Sequence, residues 1–173
     1  MIDNAFHVEI STHRFTLKSL NLADVTQRYA DWLNGSLANR FISSKLPLKE
    51  LHRYVLERIN RDDVLFLGIF NKADGKHIGN IKYEPVNIEK SYAIMGILIG
   101  DASWRGKGVA GEVILASASW LYKNKNINHI ALGVSKSNTA AIRAYQKVGF
   151  VEQASQYLPD LKNENITMVL DLN

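Results

Sequence analysis

Ile97-Leu98-Ile99-Gly100-Asp101-Ala102-Ser103-Trp104, followed by Arg105-Gly106-Lys107-Gly108-Val109-Ala110-Gly111, is the stretch on which the fold turns. It reads as an apolar strand, a tight glycine turn and the start of a helix. Such a turn lays several backbone N–H groups at a helix N-terminus, where they can hold a phosphate. One glycine is enough for most turns. Gly106 and Gly108 flanking a lysine favour anion binding over a plain turn.

The string Gly106-Lys-Gly108-Val-Ala-Gly111 is also a G-x-G-x-x-G, so a dinucleotide-binding Rossmann unit is the first alternative. Two features count against it. That unit expects an acidic residue at the end of the next strand, and the strand His129–Val134 runs into Ser135-Lys136-Ser137-Asn138. The turn also follows segments in hairpin order rather than βαβ order.

A second segment, Asn138-Thr-Ala-Ala141-Ile142-Arg-Ala-Tyr145-Gln-Lys147-Val-Gly149-Phe150, follows the strand at 129–134. Together with Arg105-x-x-Gly108-x-Ala110 it resembles the paired signatures of the GNAT superfamily of acyl-CoA-dependent N-acyltransferases. The first matches the family's [Gln/Arg]-x-x-Gly-x-[Gly/Ala] turn. The second matches its Asn-x-x-Ala-x-x-x-Tyr-x-x-x-Gly-Phe helix. The resemblance covers roughly residues 64–150 and is loose over the N-terminal third. The run Gly108-Val-Ala-Gly-Glu112 is most similar to the subgroup with ribosomal-protein N-terminal and small-molecule or amino-sugar acetyltransferases.

The composition sets the frame. With 173 residues, 46% apolar and 22% charged, the chain is expected to form one soluble globular domain over 1–173. It has no cysteine, which excludes disulfides, thiolate metal sites and a cysteine nucleophile. Residues 1–10 lack the basic and apolar regions of a signal peptide. No apolar run approaches the ~18 residues of a membrane span. A cytoplasmic protein with no membrane partner and no metal is expected. The net charge of +4 suits an anionic ligand. Arg53, Arg58 and Arg61 are interleaved with Glu50 and Glu57, which reads as a solvated helix face rather than a nucleic-acid patch.

Periodicity predicts a strand at 14–20 and a helix over about 22–33 capped by Asn21. Residues 36–46 read as irregular or a short helix. A second helix runs from Pro47 to about Asn60. Strands follow at 63–70 and 77–86, joined by an Asp74-Gly75 hairpin, with Pro85 ending the pairing. The strand at 92–99, a helix at about 107–124, the strand at 129–134 and a helix from Asn138 to Gly149 come next. Residues 151–157 and 165–172 read as a closing antiparallel pair. The fold class is α/β (α+β): a mixed, mostly antiparallel sheet of six or seven strands with helices on both faces. The resemblance implies that the strands at 92–99 and 129–134 run parallel and splay to admit the cofactor.

The same resemblance implies the site. Acetyl-CoA is the expected co-substrate, bound by Ile97, Leu98 and Ile99 along the strand and by Arg105, Gly106, Lys107, Gly108, Val109, Ala110 and Gly111 at the pyrophosphate. Arg105 has two readings of equal weight, pyrophosphate contact or holding the loop. Asn138 is explained as a helix N-cap and gains a role toward the pantetheine arm. Tyr145 is either a core tyrosine or the acid that protonates the departing thiolate.

The general base is less legible. The places where many family members carry glutamate hold Ile94 and Gly133. Glu84 is the best remaining carboxylate, and the side of the sheet it faces is open. His77 and His129 read as structural. The helices at 22–33 and 48–60 and the loop at 34–46 are expected to wall the acceptor site, with Trp32, Ser43, Ser44 and Tyr54 in it.

The expected function is acetyl transfer from acetyl-CoA to a primary amine by direct attack. A small amine, with a nucleotide-linked amino sugar as first choice, is the expected acceptor, and a homodimer is an option. A protein N-terminal acetyltransferase and a non-catalytic acyl-CoA-binding domain are the alternatives.

Overall fold

The computed structural model describes residues 7–35, 47–154, 156–159 and 161–173. Among them, eight strands form one sheet: β1 (Glu9–Ser11), β2 (Phe15–Ser19), β3 (Leu65–Asn71), β4 (His77–Asn87), β5 (Tyr92–Ile99), β6 (His129–Ser135), β7 (Val151–Glu152) and β8 (Asn165–Asp171). Their order is β1-β2-β3-β4-β5-β6-β8-β7. Every neighbouring pair is antiparallel except β5 and β6. The strand beyond the six or seven expected is β1, three residues long, too short to carry a readable alternation. The strand expected over 151–157 is β7, which is two residues long.

The helices are α1 (Gln27–Asn34), α2 (Leu48–Ile59), α3 (Val109–Lys125) and α4 (Thr139–Val148). They divide between the two faces of the sheet. On one face, Val109, Val113, Ile114, Ala118 and Leu121 of α3 bury against Leu67, Ile81, Tyr83, Ala93 and Ile130, with Ala141, Ile142 and Tyr145 of α4 packed alongside. On the other, Tyr29, Ala30, Trp32 and Leu33 of α1 and Leu51 and Val55 of α2 bury against Val64 and Phe66. Burying apolar area on both faces is the main favourable contribution to folding.

Local chemistry sets the ends of the helices. Asn21 caps a 3-10 turn at Leu22–Asp24 in a capping box, and α1 begins only after Thr26, whose hydroxyl accepts from the Tyr29 N–H. The single helix expected over 22–33 is therefore two elements, because each cap starts its own turn. Asn138 caps α4 through the Ala141 N–H, and Gly149 ends it in the left-handed region at φ 115°.

Pro85 does not end β4. Pairing with β5 shifts register between Tyr83 and Val86 and resumes at Val86↔Ala93. Proline removes one donor from the ladder, and here the strand bulges around the gap.

The pairing of β4 with β5 is tight at one glycine. A Cβ on Gly79 would lie 2.2 Å from the carbonyl oxygen of Leu98 and 3.1 Å from the Cα of Ile99. Both are backbone atoms that cannot rotate away. Gly79→Ala is expected to cost about 1–3 kcal/mol. Urea unfolding checks this: the midpoint should fall with the slope unchanged.

Candidate active site

β5 and β6 run side by side only at Tyr92↔His129, Ala93↔Ile130 and Ile94↔Ala131. Beyond Ile94 they part. β5 stays paired with β4 through Gly79↔Ile99, and β6 stays paired with β8 through Ser135↔Asn165. Each strand is held from its outer side, so the edges of residues 95–99 and 132–135 that face one another are left open. Open strand edges seek backbone-type partners such as the amides of an extended ligand.

Both strands run into anion-friendly ends at the same side of the sheet. After β5, a 3-10 turn at Ala102–Trp104 is capped by Asp101, whose carboxylate accepts from the Ser103 N–H. Gly106 and Gly108 then adopt φ of 71° and 73°, the left-handed region that favours glycine. A Cβ on Gly106 would meet nothing within 4 Å, and one on Gly108 only the tip of Arg14 at 3.9 Å. The space over the turn is open to a ligand. Gly108 occupies the N-cap of α3 without a side-chain cap bond, so the first N–H groups of the helix keep their donor capacity. Lys107 sits on the Trp104 ring, with Nζ 5.6 Å from its centroid.

Arg105 holds the loop. Its Nε donates to the Ile99 carbonyl at 3.2 Å and its Nη2 to that of Gly100 at 3.4 Å. Gly111 lies inside α3, where a Cβ would touch Val148 of α4 at 3.9 Å. Asn138 sits at the other lip, as the cap of α4. Glu112 anchors the first turn of α3 to the β1–β2 hairpin. Its carboxylate accepts from the Thr12 hydroxyl and from the N–H and Nε of Arg14, each at 2.7 Å. Burial pushes the Glu112 carboxyl up, but these bonds outweigh it and hold it below the usual glutamate range. The motif reading placed no role on Glu112.

Tyr145 is largely buried on α4 beside Phe150, with ring centroids 5.7 Å apart. Burial pushes its phenol up to about 12, so it keeps its proton across neutral pH.

A cavity of about 150 Å³ opens beside β5 on the α1–α2 face. Its walls include Tyr29, Tyr54, Phe66, Asn80, Lys82, Gly96, Ile97 and Leu98. Of the expected wall residues, Tyr54 lines this cavity and Trp32 lines a second one with Thr26, Arg28 and His77; the Trp32 ring packs against Gly100, where a Cβ would fall 2.0 Å from it. Ser43, Ser44 and the loop at 36–46 lie outside the described residues.

Asn80, Lys82 and Glu84 alternate with Ile81 and Tyr83 and so share this face. Lys82 Nζ donates to the Tyr54 hydroxyl at 2.6 Å and meets Glu84 at 2.7 Å. Glu84 also binds Arg58 at 3.0 Å and Arg61 at 2.5 Å. Burial pushes the Glu84 carboxyl up, but Lys82 and Arg58 outweigh burial and hold it below the usual range. A carboxylate committed to three cations is a weak proton acceptor.

Of the two positions that lack a glutamate, Ile94 is the last residue of β5 to pair with β6. Gly133 is exposed on β6, and a Cβ there would lie 2.6 Å from the tip of the Leu161 side chain. Among the described residues no cluster of His, Asp or Glu could hold a metal ion, and no helix is long and apolar enough to cross a membrane.

Comparison with known proteins agrees with this geometry. An aminoglycoside N(6')-acetyltransferase type 1 from Klebsiella pneumoniae is 28% identical over 102 residues, covering 49% of this chain and 51% of that protein. The chain spans about half the length of the curated relatives it matches. Among solved structures, the ribosomal alpha-N-protein acetyltransferase RimL in complex with coenzyme A superposes with a TM-score of 0.82 at 13% identity, covering 95% of this chain and 98% of that one. A dodecameric spermidine N-acetyltransferase from Vibrio cholerae superposes with a TM-score of 0.72 at 21% identity, covering 91% and 94%. The family described as Acetyltransferase (GNAT) domain matches residues 14–151, and the chain belongs to that family.

Proposed function

We propose that this protein transfers an acetyl group from acetyl-CoA to a primary amine of a small molecule. The observation that carries this reading is the parting of β5 from β6 after Ile94↔Ala131, with a glycine turn at one lip and Asn138 at the other. In this reading the backbone N–H groups at 106–111 bind the pyrophosphate, Lys107 adds a charge, and the open edge at Ile97–Ile99 pairs with pantetheine. Asn138 orders the lip of α4. Arg105 keeps the turn in shape.

The amine nitrogen attacks the thioester carbon, a C–N bond forms and the C–S bond breaks. A strand N–H near Ile97–Ile99 polarises the carbonyl. Tyr145 gives its phenolic proton to the thiolate, and the amine loses its proton to solvent. Glu84 serves as the counter-ion that holds Lys82, Arg58 and Arg61 in place; its use as the base is the weaker assignment.

The cavity on the α1–α2 face is the acceptor site in this reading. A nucleotide-linked amino sugar fits it better than a polycation, since Lys82 stands in the wall and Glu84 is already committed. A protein N-terminus is the competing acceptor. A non-catalytic acyl-CoA-binding domain is the competing class, favoured by Ile94 and Gly133 standing where many family members carry glutamate. Thiol release from acetyl-CoA decides between catalysis and binding, tested against nucleotide-linked amino sugars, polyamines, aminoglycosides and N-terminal peptides. Thiol release with none of them, alongside tight acetyl-CoA binding, would leave the binding domain.

Gly108→Asp and Gly108→Asn isolate the anion site, because both residues tolerate the left-handed conformation and differ in charge. The Asp variant should bind acetyl-CoA about tenfold or more weakly than the Asn variant in calorimetry, which is about 1.4 kcal/mol. Equal affinities would place the pyrophosphate elsewhere.

Tyr145→Phe should lower kcat by about 10²–10⁴-fold with KM for acetyl-CoA nearly unchanged. Because burial raises the phenol, the wild-type rate should show no alkaline loss from this group below about pH 10. A variant that turns over normally makes Tyr145 a core residue.

Glu84→Gln tests the ion cluster. The folded carboxyl lies below its unfolded value, so its contribution to stability is present above the ordinary glutamate range and disappears as pH falls through the depressed value. The variant should melt lower than wild type at pH 7, and the two melting curves should converge in acid.

A further inference from the structure

We infer that Asn80 reads the acceptor: its side-chain N–H groups bind an oxygen carried on the carbon next to the one that bears the reacting amine. The inference rests on the acceptor site proposed above and names the substrate class, vicinal amino alcohols of the amino-sugar type.

Asn80 is 4% exposed and stands in the wall of the cavity beside β5. Its Nδ2 is buried and has no hydrogen-bond partner among the described residues. Buried amide donors are almost always paired, so an unpaired one in a cavity wall points to a missing acceptor. The other end of the same amide is fixed. Asn80 Oδ1 accepts from His77 Nε2 at 2.7 Å. His77 is itself wedged among Phe70, Trp32 and Tyr29, with ring centroids at 4.8, 5.0 and 6.1 Å. Burial, the largest influence, lowers its basicity and keeps the ring neutral. In the Nε2–H tautomer the imidazole donates to Oδ1 and leaves Nδ2 to another partner, which makes His77 a positioning residue.

The surroundings select the chemistry of the missing partner. Across the strand pair, Asn80 faces Leu98 and Lys82 faces Gly96, where a Cβ would meet nothing within 4 Å. The Lys82 ammonium gives one hydrogen to Tyr54 and one to Glu84, which leaves a third. Two donors thus flank the open floor at Gly96. No carboxylate lines the cavity among the described residues, and Glu84 next to it is neutralised by three cations. A second ammonium on the substrate would face donors and a like charge. A hydroxyl or ring oxygen would satisfy Asn80.

A matched set of amines tests this: trans-2-aminocyclohexanol, cyclohexylamine and trans-1,2-diaminocyclohexane, assayed by thiol release with the intact protein. The first should exceed each of the others in kcat/KM by about tenfold or more. Asn80→Leu should erase that preference by raising KM for the amino alcohol alone, with cyclohexylamine unaffected. Asn80→Asp, nearly isosteric, should shift the preference toward the diamine. His77→Phe should raise KM for the amino alcohol with kcat unchanged. Thermal melts confirm that each variant is folded. Equal use of all three amines by wild type, or an Asn80→Leu variant that keeps the preference, would overturn the role of Asn80. If no amine releases thiol, calorimetry of trans-2-aminocyclohexanol with wild type and Asn80→Leu still reads Asn80 separately from the catalytic reading. Equal heats from the two proteins would then overturn it.

Discussion

Everything at the site depends on a pair of parallel strands that cannot stay together. β5 is paired along β4 and β6 along β8, and each of those ladders continues after the contact between β5 and β6 stops at Ile94↔Ala131. Residues 95–99 and 132–135 lose their strand partners on the facing edges, and of these the Ile99 carbonyl is taken by Arg105 Nε. Because the two strands are parallel, their C-terminal ends open at the same side of the sheet, and the helices that follow begin there. α3 and α4 therefore bring their N-terminal N–H groups to one mouth. The electropositive end of the cleft follows from topology and needs few cationic side chains.

The two faces of the sheet have different chemistry. The α3–α4 face is apolar to its centre, and its buried hydroxyls satisfy one another: Tyr83 meets Ser117 at 2.8 Å, and Ser117 donates to the Val113 carbonyl at 2.7 Å. That face supports the glycine turn, with Glu112 tying α3 to the first hairpin. The α1–α2 face mixes aromatic rings with ions. Arg58 lies over the Tyr54 ring at 3.5 Å from the centroid and reaches Glu84, which also holds Arg61 and Lys82. An isolated surface ion pair contributes little, but a half-buried set that shares one carboxylate fixes several side chains at once.

What the sequence made legible was what backbone geometry demands. Gly106 and Gly108 had to adopt positive φ, Asn138 had to cap a helix and Gly149 had to end one. The family resemblance then supplied the parallel pair, 92–99 beside 129–134. What it left dark was contact between distant residues. The alternation Ile81-Lys82-Tyr83-Glu84 sets Glu84 opposite Tyr83, but which helices cover that polar side is decided by residues far from it in sequence, Arg58 and Arg61 among them. Trp32 lines a cavity, but which one is set by its packing against Gly100, far along the chain. Asn80 drew no notice, since its meaning lies in an unpaired donor that only packing reveals.

The missing base follows from the same packing. Residues 95–99 and 132–135 of the splayed strands include no carboxylate. Glu84, on the neighbouring strand, is held by three cations. In the proposed reading this cavity receives the acceptor, and its walls are aromatic rings, an amide and an ammonium. Such a site disfavours a charged amine twice, by removing it from water and by placing Lys82 beside it. An amine entering there gives up its proton more readily than it would in solvent. The environment then does to the substrate's basicity what a carboxylate would do by accepting the proton, and the reaction needs its strongest proton chemistry only at the thiolate.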